Sequence, residues 1–222
     1  MFWNSITGGL KLFSNWQVWS ACIIYAIIML VFFFIVSKIT GEKEHFGRGM
    51  AGYFTFTVGG IALEGVLMSL TVVFLFPILL GQQSITPFSE VLNFLWPIVK
   101  AGLIATVIVT IITIMPLVGD LIAYSPGTQT FLMGFIIFRL FTKDMFNIIL
   151  SESNIQGNIY PTTWEFIGFI IIATALTWLL IGILSVISLP FSNTELGDII
   201  PMIGGQVLGV LVGVVTLCMY TN

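Results

Sequence analysis

The sequence predicts an all-α, polytopic membrane protein: a single transmembrane domain over residues 1–222, built as a bundle of six helices. Apolar residues make up 58% of the chain and charged residues 8%, whereas soluble domains average about 45–50% and 25%. Mean hydropathy is +1.10. Runs of about 20 apolar residues, the length that a helix needs to cross the hydrocarbon core, recur along the chain. This composition makes the bilayer the expected environment of the chain. The net charge of -3 leaves no basic surface that could bind nucleic acid.

Residues 1–16 are predicted to form an interfacial N-terminal arm. Bulky apolar side chains such as Phe2, Trp3 and Phe13 alternate with polar ones, which is typical of a short amphipathic helix lying at the membrane surface. The pair Gly8 and Gly9 weakens a helix, so an extended arm packed on a neighbour is the alternative.

Five apolar runs predict crossings near residues 17–39, 51–80, 94–117, 164–190 and 200–220. A sixth, 121–142, contains Ser-Pro-Gly at 125–127. Proline and glycine interrupt helical hydrogen bonding, which a membrane tolerates only where protein or water satisfies the freed groups. Pro126 and Gly127 are therefore a candidate hinge. The segment is either a broken crossing or a re-entrant hairpin, and the second choice leaves five crossings.

Charges and tryptophans give the orientation. The cationic link containing Lys38, Lys43 and Arg48 predicts a cytoplasmic first loop, or its organellar equivalent. With six crossings, four tryptophans share one interface: Trp16, Trp19, Trp96 and Trp164. One observation argues against six crossings. Arg139 and Lys143 would then lie at the end of the fourth crossing on the side opposite to the cytoplasm, whereas cationic residues favour the cytoplasmic side. The sequence thus predicts a multi-pass integral membrane protein. It does not distinguish a bacterial inner membrane from an organellar inner membrane.

The sequence contains no motif for most kinds of catalysis or cofactor binding. The only histidine, His45, lies in a charged loop, so haem, di-iron and copper sites are not expected, and no cofactor is predicted. Gly-Asp occurs at Asp120 and Asp198, as in the Gly-x-Gly-Asp motif of intramembrane aspartyl proteases. The first glycine of that motif is replaced by Leu117 and Glu195. Each aspartate is interpreted as a helix cap, and no enzyme activity is expected.

Glu64 is the main functional candidate because it interrupts the apolar sequence GGIALEGVLMSL. Helical rotation of about 100° per residue places Thr57, Gly60, Glu64 and Thr71 on one stripe. A charge near the bilayer centre costs at least a few kcal/mol. Glu64 should therefore face protein or water, where it is protonated, paired or hydrated.

Two cations are further candidates. Lys100 lies four residues after Trp96, near enough to the interface for its amine to reach polar surroundings. A direct ion pair with the deeper Glu64 is not expected. Arg139 lies near the end of its segment, where its side chain can also extend to the interface.

The last crossing carries a helix-packing pattern. Gly205, Gly209 and Gly213 recur every four residues, which allows another helix to approach one face closely. That helix can belong to this chain or to a partner. Trp178 lies in the middle of its crossing, where a partner or a bound lipid is plausible. The 20 phenylalanines are expected mostly on lipid-facing or inter-subunit surfaces.

These features predict a non-catalytic accessory or scaffolding subunit of a larger membrane complex, with the bilayer and other membrane protein subunits as its partners. The alternative is a small channel or proton-coupled transporter that uses Glu64.

Overall fold

The computed structural model describes residues 2–39, 58–79, 84–115, 125–142, 163–191 and 195–221. Across these ranges 94% of residues are helical and none lies in a strand. The all-helical prediction is therefore confirmed for this part of the chain.

The N-terminal arm is helical. Helix α1 (Phe2–Leu10) leads through a 3-10 turn (Lys11–Ser14) into α2 (Trp16–Ile39). The side chain of Asn15 caps α2 by accepting a hydrogen bond from the backbone amide of Gln17 at 2.9 Å. The indole of Trp19 donates back to the carbonyl of Phe13 at 2.7 Å. Because α1 also packs against the C-terminal helix, the arm belongs to the bundle.

The next four described helices are α3 (Gly60–Phe74), α4 (Phe76–Leu79), α5 (Phe88–Asn93) and α6 (Leu95–Ile114). Three of them lie in the second and third predicted crossings, and α5 lies between these crossings. Thr86 connects the end of α3 to the chain before α5. Its amide donates to the carbonyl of Phe74 at 2.9 Å and its hydroxyl to that of Val73 at 2.6 Å.

The C-terminal part holds three described α-helices, of which the last two are the longest described, with 26 and 27 residues. They are α7 (Pro126–Thr142), α8 (Thr163–Ser188) with a 3-10 turn (Leu189–Phe191), and α9 (Glu195–Thr221). Helix α9 packs against α1, α2, α7 and α8. Every side chain from 209 to 219 is buried. The C-terminal half of α9 is thus a central element of the core.

Three helical segments are long and apolar enough to cross a membrane: Trp16–Val36, Leu95–Ile114 and Trp164–Phe191. Gly60–Phe74 and Ile203–Met219 are apolar but shorter. The 17 residues of α7 begin at Pro126, whereas the predicted crossing starts at 121. Six crossings therefore remain a prediction.

The phenylalanines of α7 depart from their predicted location. Phe131 and Phe138 are fully buried, and Phe141 is 2% exposed. The ring of Phe138 stacks on Phe76 with centroids 5.6 Å apart. Since such contacts fill the core between helices, the expectation of lipid-facing or inter-subunit phenylalanines is wrong for this helix.

Candidate functional site

Glu64 contacts the segment that contains the predicted break. Glu64 lies on α3 and is half-buried as a residue, and its carboxylate faces Gln129 on α7. The amide nitrogen Nε2 of Gln129 is 3.3 Å from Oε2 and 3.5 Å from Oε1 of Glu64. Both distances exceed the usual 2.9–3.0 Å of an N–H to oxygen bond, so the contact is long. Gln129 is neutral, and the pairing therefore leaves the charge on Glu64 uncompensated.

The Ser-Pro-Gly sequence begins a helix. Pro126 is the first residue of α7, a position where its missing N–H sacrifices no helical hydrogen bond. The carbonyl of Ser125 accepts hydrogen bonds from the amides of Thr128 at 2.9 Å and Gln129 at 3.1 Å. The hydroxyls of Ser125 and Thr128 are 2.8 Å apart. The hinge prediction depends also on residues 116–124, which lie outside the described residues.

Four polar side chains at this helix start, Ser125, Thr128, Gln129 and Thr130, are called the α7 polar turn. Consecutive side chains on a helix are separated by about 100°, so they reach different neighbours. Thr128 is 2.8 Å from the hydroxyl of Thr174 on α8. The hydroxyl of Thr130 lies 2.7 Å from the carbonyl of Gly209 on α9 and 2.7 Å from that of Pro126 in its own helix, so its single proton is shared between the two acceptors. Gln129 contacts Glu64 on α3. The α7 polar turn therefore contacts three other helices: α3, α8 and α9.

The glycines predicted for packing and for the hinge lie beside this turn. A β-carbon at Gly209 would lie 2.9 Å from Cβ of Pro126, and one at Gly213 would lie 2.6 Å from Cβ of Thr130. A β-carbon at Gly127 would overlap the hydroxyl of Thr177 and lie 2.7 Å from Val212. Small residues thus bring α7, α8 and α9 together within the chain. At Gly205 the β-carbon position has no described atom within 4 Å.

Tyr25 on α2 is a further buried polar group. It is 2% exposed, and its hydroxyl has no hydrogen-bond partner among the described residues. It also borders a cavity of about 260 Å³ together with Leu67 and Thr71, which lie on the same side of α3 as Glu64. The hydroxyl of Thr71 is buried and donates to the carbonyl of Leu67 at 2.9 Å.

Each of the two candidate cations lies near an aromatic ring of its own helix. Lys100 is exposed, and its amine lies 5.0 Å from the centroid of the Trp96 ring, a cation–π contact. Arg139 is partly buried, and its guanidinium lies 6.0 Å from the ring centroid of Phe135.

Gln129 is not among the residues that the sequence predicts for the site, although the polar composition of Ser-Pro-Gly-Thr-Gln-Thr at 125–130 is a signal for it. The close approach of α3 to α6 is also not predicted. A β-carbon at Gly65 would overlap the Thr106 hydroxyl and lie 2.5 Å from the carbonyl oxygen of Gly102. Small residues at 101, 102, 105 and 106 carried that signal.

Several predicted residues cannot be located. Thr57, His45 and Asp120 lie outside the described residues, as does the side chain of Asp198 in the first turn of α9. Among the residues that the structure describes, no group of three or more His, Cys, Asp and Glu side chains could hold a metal ion. No protein-family model, curated protein or solved structure matches this chain.

Proposed function

We propose that this chain is a small proton-coupled membrane transporter with six crossings, in which Glu64 takes up and releases the proton. The observation that carries the proposal is the contact between Glu64 on α3 and Gln129 at the start of α7. Ionisable residues within membrane segments commonly lie on ion and proton pathways. Interrupted helices often form the binding sites of transporters.

A neutral partner suits a carboxyl group that must change its protonation state. The amide N–H of Gln129 donates to a carboxylate, and after rotation of the amide its oxygen accepts from a protonated carboxyl. A permanent cation would instead favour the charged form throughout. Gln129 thus supports Glu64 in both states.

The α7 polar turn offers a way to couple protonation to movement. Gln129 contacts α3, while Thr128 and Thr130 are hydrogen-bonded to α8 and α9. A change in the Glu64 contact therefore alters one of the three attachments at the start of α7. A shift of α7 relative to α3 would then expose Glu64 alternately to the two sides.

Flux measurement with Glu64→Gln tests the function. Purified protein is reconstituted into liposomes that contain a pH-sensitive dye, and a pH gradient is applied. Because Gln keeps the shape of Glu but cannot release a proton at this position, we expect flux to fall to that of protein-free liposomes. Glu90→Gln is the matched control, since Glu90 is exposed at the start of α5, and its flux should equal that of the wild type. Full flux in Glu64→Gln contradicts the proposal.

The second candidate is the accessory or scaffolding subunit, which the outer face of α8 favours. Trp178 and Leu179 are 56% and 60% exposed, and they border a shallow groove with Gly182, Ile183, Val186 and Ile187. The β-carbon position of Gly182 has no described atom within 4 Å, so a helix of another subunit could approach closely. Stoichiometric copurification with another membrane protein in mild detergent, together with unchanged flux in Glu64→Gln, would favour this candidate.

A further inference from the structure

A cavity of about 260 Å³ lies between α2, α3 and α5. Helices α2 and α3 each contribute four side chains, spaced so that they lie on one face of the helix, and α5 contributes Phe88 and Val91. Protein interiors contain few voids larger than a water molecule, so this space is a candidate binding site. Glu64 and Gln129 do not line it, and the cavity is therefore distinct from the site around Glu64.

The walls of the cavity are suited to an apolar occupant. The lining side chains are uncharged, and only Tyr25 and Thr71 carry a hydroxyl. The hydroxyl of Thr71 is bonded to the carbonyl of Leu67, and that of Tyr25 is buried. Apolar cavities of about 150 Å³ stay dry and take up molecules such as benzene. The larger cavity between α2 and α3 is therefore expected to hold hydrocarbon and not water.

The cavity has a buried wall and an exposed mouth. Ala21, Tyr25, Leu67 and Thr71 are buried, and they form the wall. Three exposed side chains form the mouth: Ile24, Ile28 and Phe88. A molecule that enters from outside the protein thus passes exposed isoleucines of α2 before it reaches the buried wall.

The position of the mouth along α2 indicates what enters it. The segment Trp16–Val36 is long and apolar enough to cross a membrane. At 1.5 Å per residue, Ile24 and Ile28 lie about 12 and 18 Å along the helix from Trp16. The hydrocarbon core of a bilayer is about 30 Å thick. With α2 across the membrane, the mouth therefore opens at the depth of the lipid acyl chains, well inside the headgroups.

We propose that the cavity between α2, α3 and α5 binds one acyl chain of a membrane phospholipid, which enters between Ile24, Ile28 and Phe88. The lipid site goes beyond the proposed proton coupling and does not depend on it. It also lies on a different part of the molecule from Trp178 on α8.

Contact with the walls supplies the free energy of binding. Lipid tails are as apolar as leucine side chains, so transfer of a chain from the bilayer gains little hydrophobic free energy. A chain that fills the void instead gains dispersion contacts that the empty walls lack. Such a chain exchanges with the surrounding lipid, and its binding is best measured in a bilayer.

Photolabelling of the full chain in liposomes tests the lipid site. The liposomes are made of phosphatidylcholine, a fraction of which carries a diazirine on one acyl chain. Light releases nitrogen from the diazirine, and the carbene that forms inserts into a nearby C–H or O–H bond. Mass spectrometry of the digested protein locates the labelled residues.

The expected labelling differs from that of ordinary surface lipid. Tyr25 and Leu67 should be labelled although they are 2% and 6% exposed. Phe131 and Leu211 are fully buried outside the cavity and should stay unlabelled. Leu179, which is 60% exposed on α8, is the positive control for contact with bulk lipid.

Variants that fill the cavity complete the test. Ala21→Phe and Leu70→Trp each place a ring in the cavity, so labelling of Tyr25 and Leu67 should fall to the level of Phe131. Ala175→Phe is the matched control, because Ala175 is exposed on α8; its labelling of Tyr25 should equal that of the wild type. Elution volume and helical content show which variants are folded, and Leu70→Trp decides if Ala21→Phe is not.

The inference is overturned if Tyr25 and Leu67 of the wild type are as unlabelled as Phe131 while Leu179 is labelled. It is also overturned if both residues keep their label in a folded variant with a filled cavity. Loss of their label in the filled variants alone, with Leu179 labelled throughout, supports the lipid site whatever the dependence of flux on Glu64.

Discussion

Glu64 and Gln129 place a carboxylate and an amide against each other inside a chain that is otherwise strongly apolar. Their distances of 3.3 and 3.5 Å are those of a loose contact. In the proposed function this looseness matters, because a carboxyl that releases its proton has to exchange partners.

The energetic coupling of this pair can be measured. Gln129→Leu leaves Glu64 without its amide donor, so we expect it to lower the free energy of unfolding by about 1–3 kcal/mol. In Glu64→Leu/Gln129→Leu both polar groups are gone, and the loss should be smaller than the sum of the two single losses. The measurement is thermal or denaturant unfolding in detergent of the wild type, both single variants and the double variant. Additive losses would show that the two side chains do not interact.

Gly65 and Gly102 bring α3 and α6 into backbone contact. A β-carbon at Gly102 would lie 2.6 Å from the carbonyl oxygen of Gly65. The hydroxyl of Thr106 donates to the carbonyl of Ile61 at 3.2 Å across the same interface. Because the obstacle is backbone, a larger residue can be accommodated only if the helices separate.

Alanine should therefore have opposite effects on two helical glycines. Gly65→Ala is expected to destabilise the protein by about 1–3 kcal/mol, since overpacking forces backbone shifts. Gly182→Ala on α8 meets no described atom within 4 Å and should stabilise it by roughly 0.5–1 kcal/mol through helix propensity. Unfolding curves in one detergent compare the two. A stabilised Gly65→Ala variant would contradict the close approach of α3 and α6.

The described helices pack in two groups that meet at α7: α9 packs against α1, α2, α7 and α8, whereas α3 and α6 pack against each other and against α7. Three segments have the length and apolarity of membrane spans. The proposed transporter requires three more crossings, and their number determines on which sides of the membrane the loops lie.

Cysteine labelling decides between six and five crossings. In a background with Cys22 and Cys218 replaced by Ala, single cysteines are placed at Ser84 and Ser153, and intact vesicles are treated with a membrane-impermeant maleimide. Six crossings put both positions on the same side, so both should be labelled or both protected. If residues 121–142 form a re-entrant hairpin, only one of the two will react before the vesicles are opened. Labelling of both after detergent lysis is the control for reactivity.

Helical class follows from local sequence, and so does the prediction that Glu64 is a candidate site. Apolar runs of membrane length specify helices because every backbone group must be hydrogen-bonded within its own segment, and the 3.6-residue repeat gives Glu64 its neighbours on α3. Proline at 126 likewise marks a helix boundary. The four-residue spacing of Trp96 and Lys100 likewise agrees with the cation–π contact between their side chains.

The partners across helices came only from the tertiary structure. Nearly uniform apolar helices have no strong polar face, so the sequence does not say which side of α7 turns inward; Phe131 and Phe138 are buried there, against expectation. The spacing of Gly209 and Gly213 allows any neighbouring helix to pack closely, and only the tertiary structure shows that this helix is α7. Gln129 reaches Glu64, 65 positions earlier in the chain, because the order and rotation of packed helices bring α7 against α3. Sequence spacing carries no measure of that rotation, and for this reason Glu64 was predictable as a site while its partner was not.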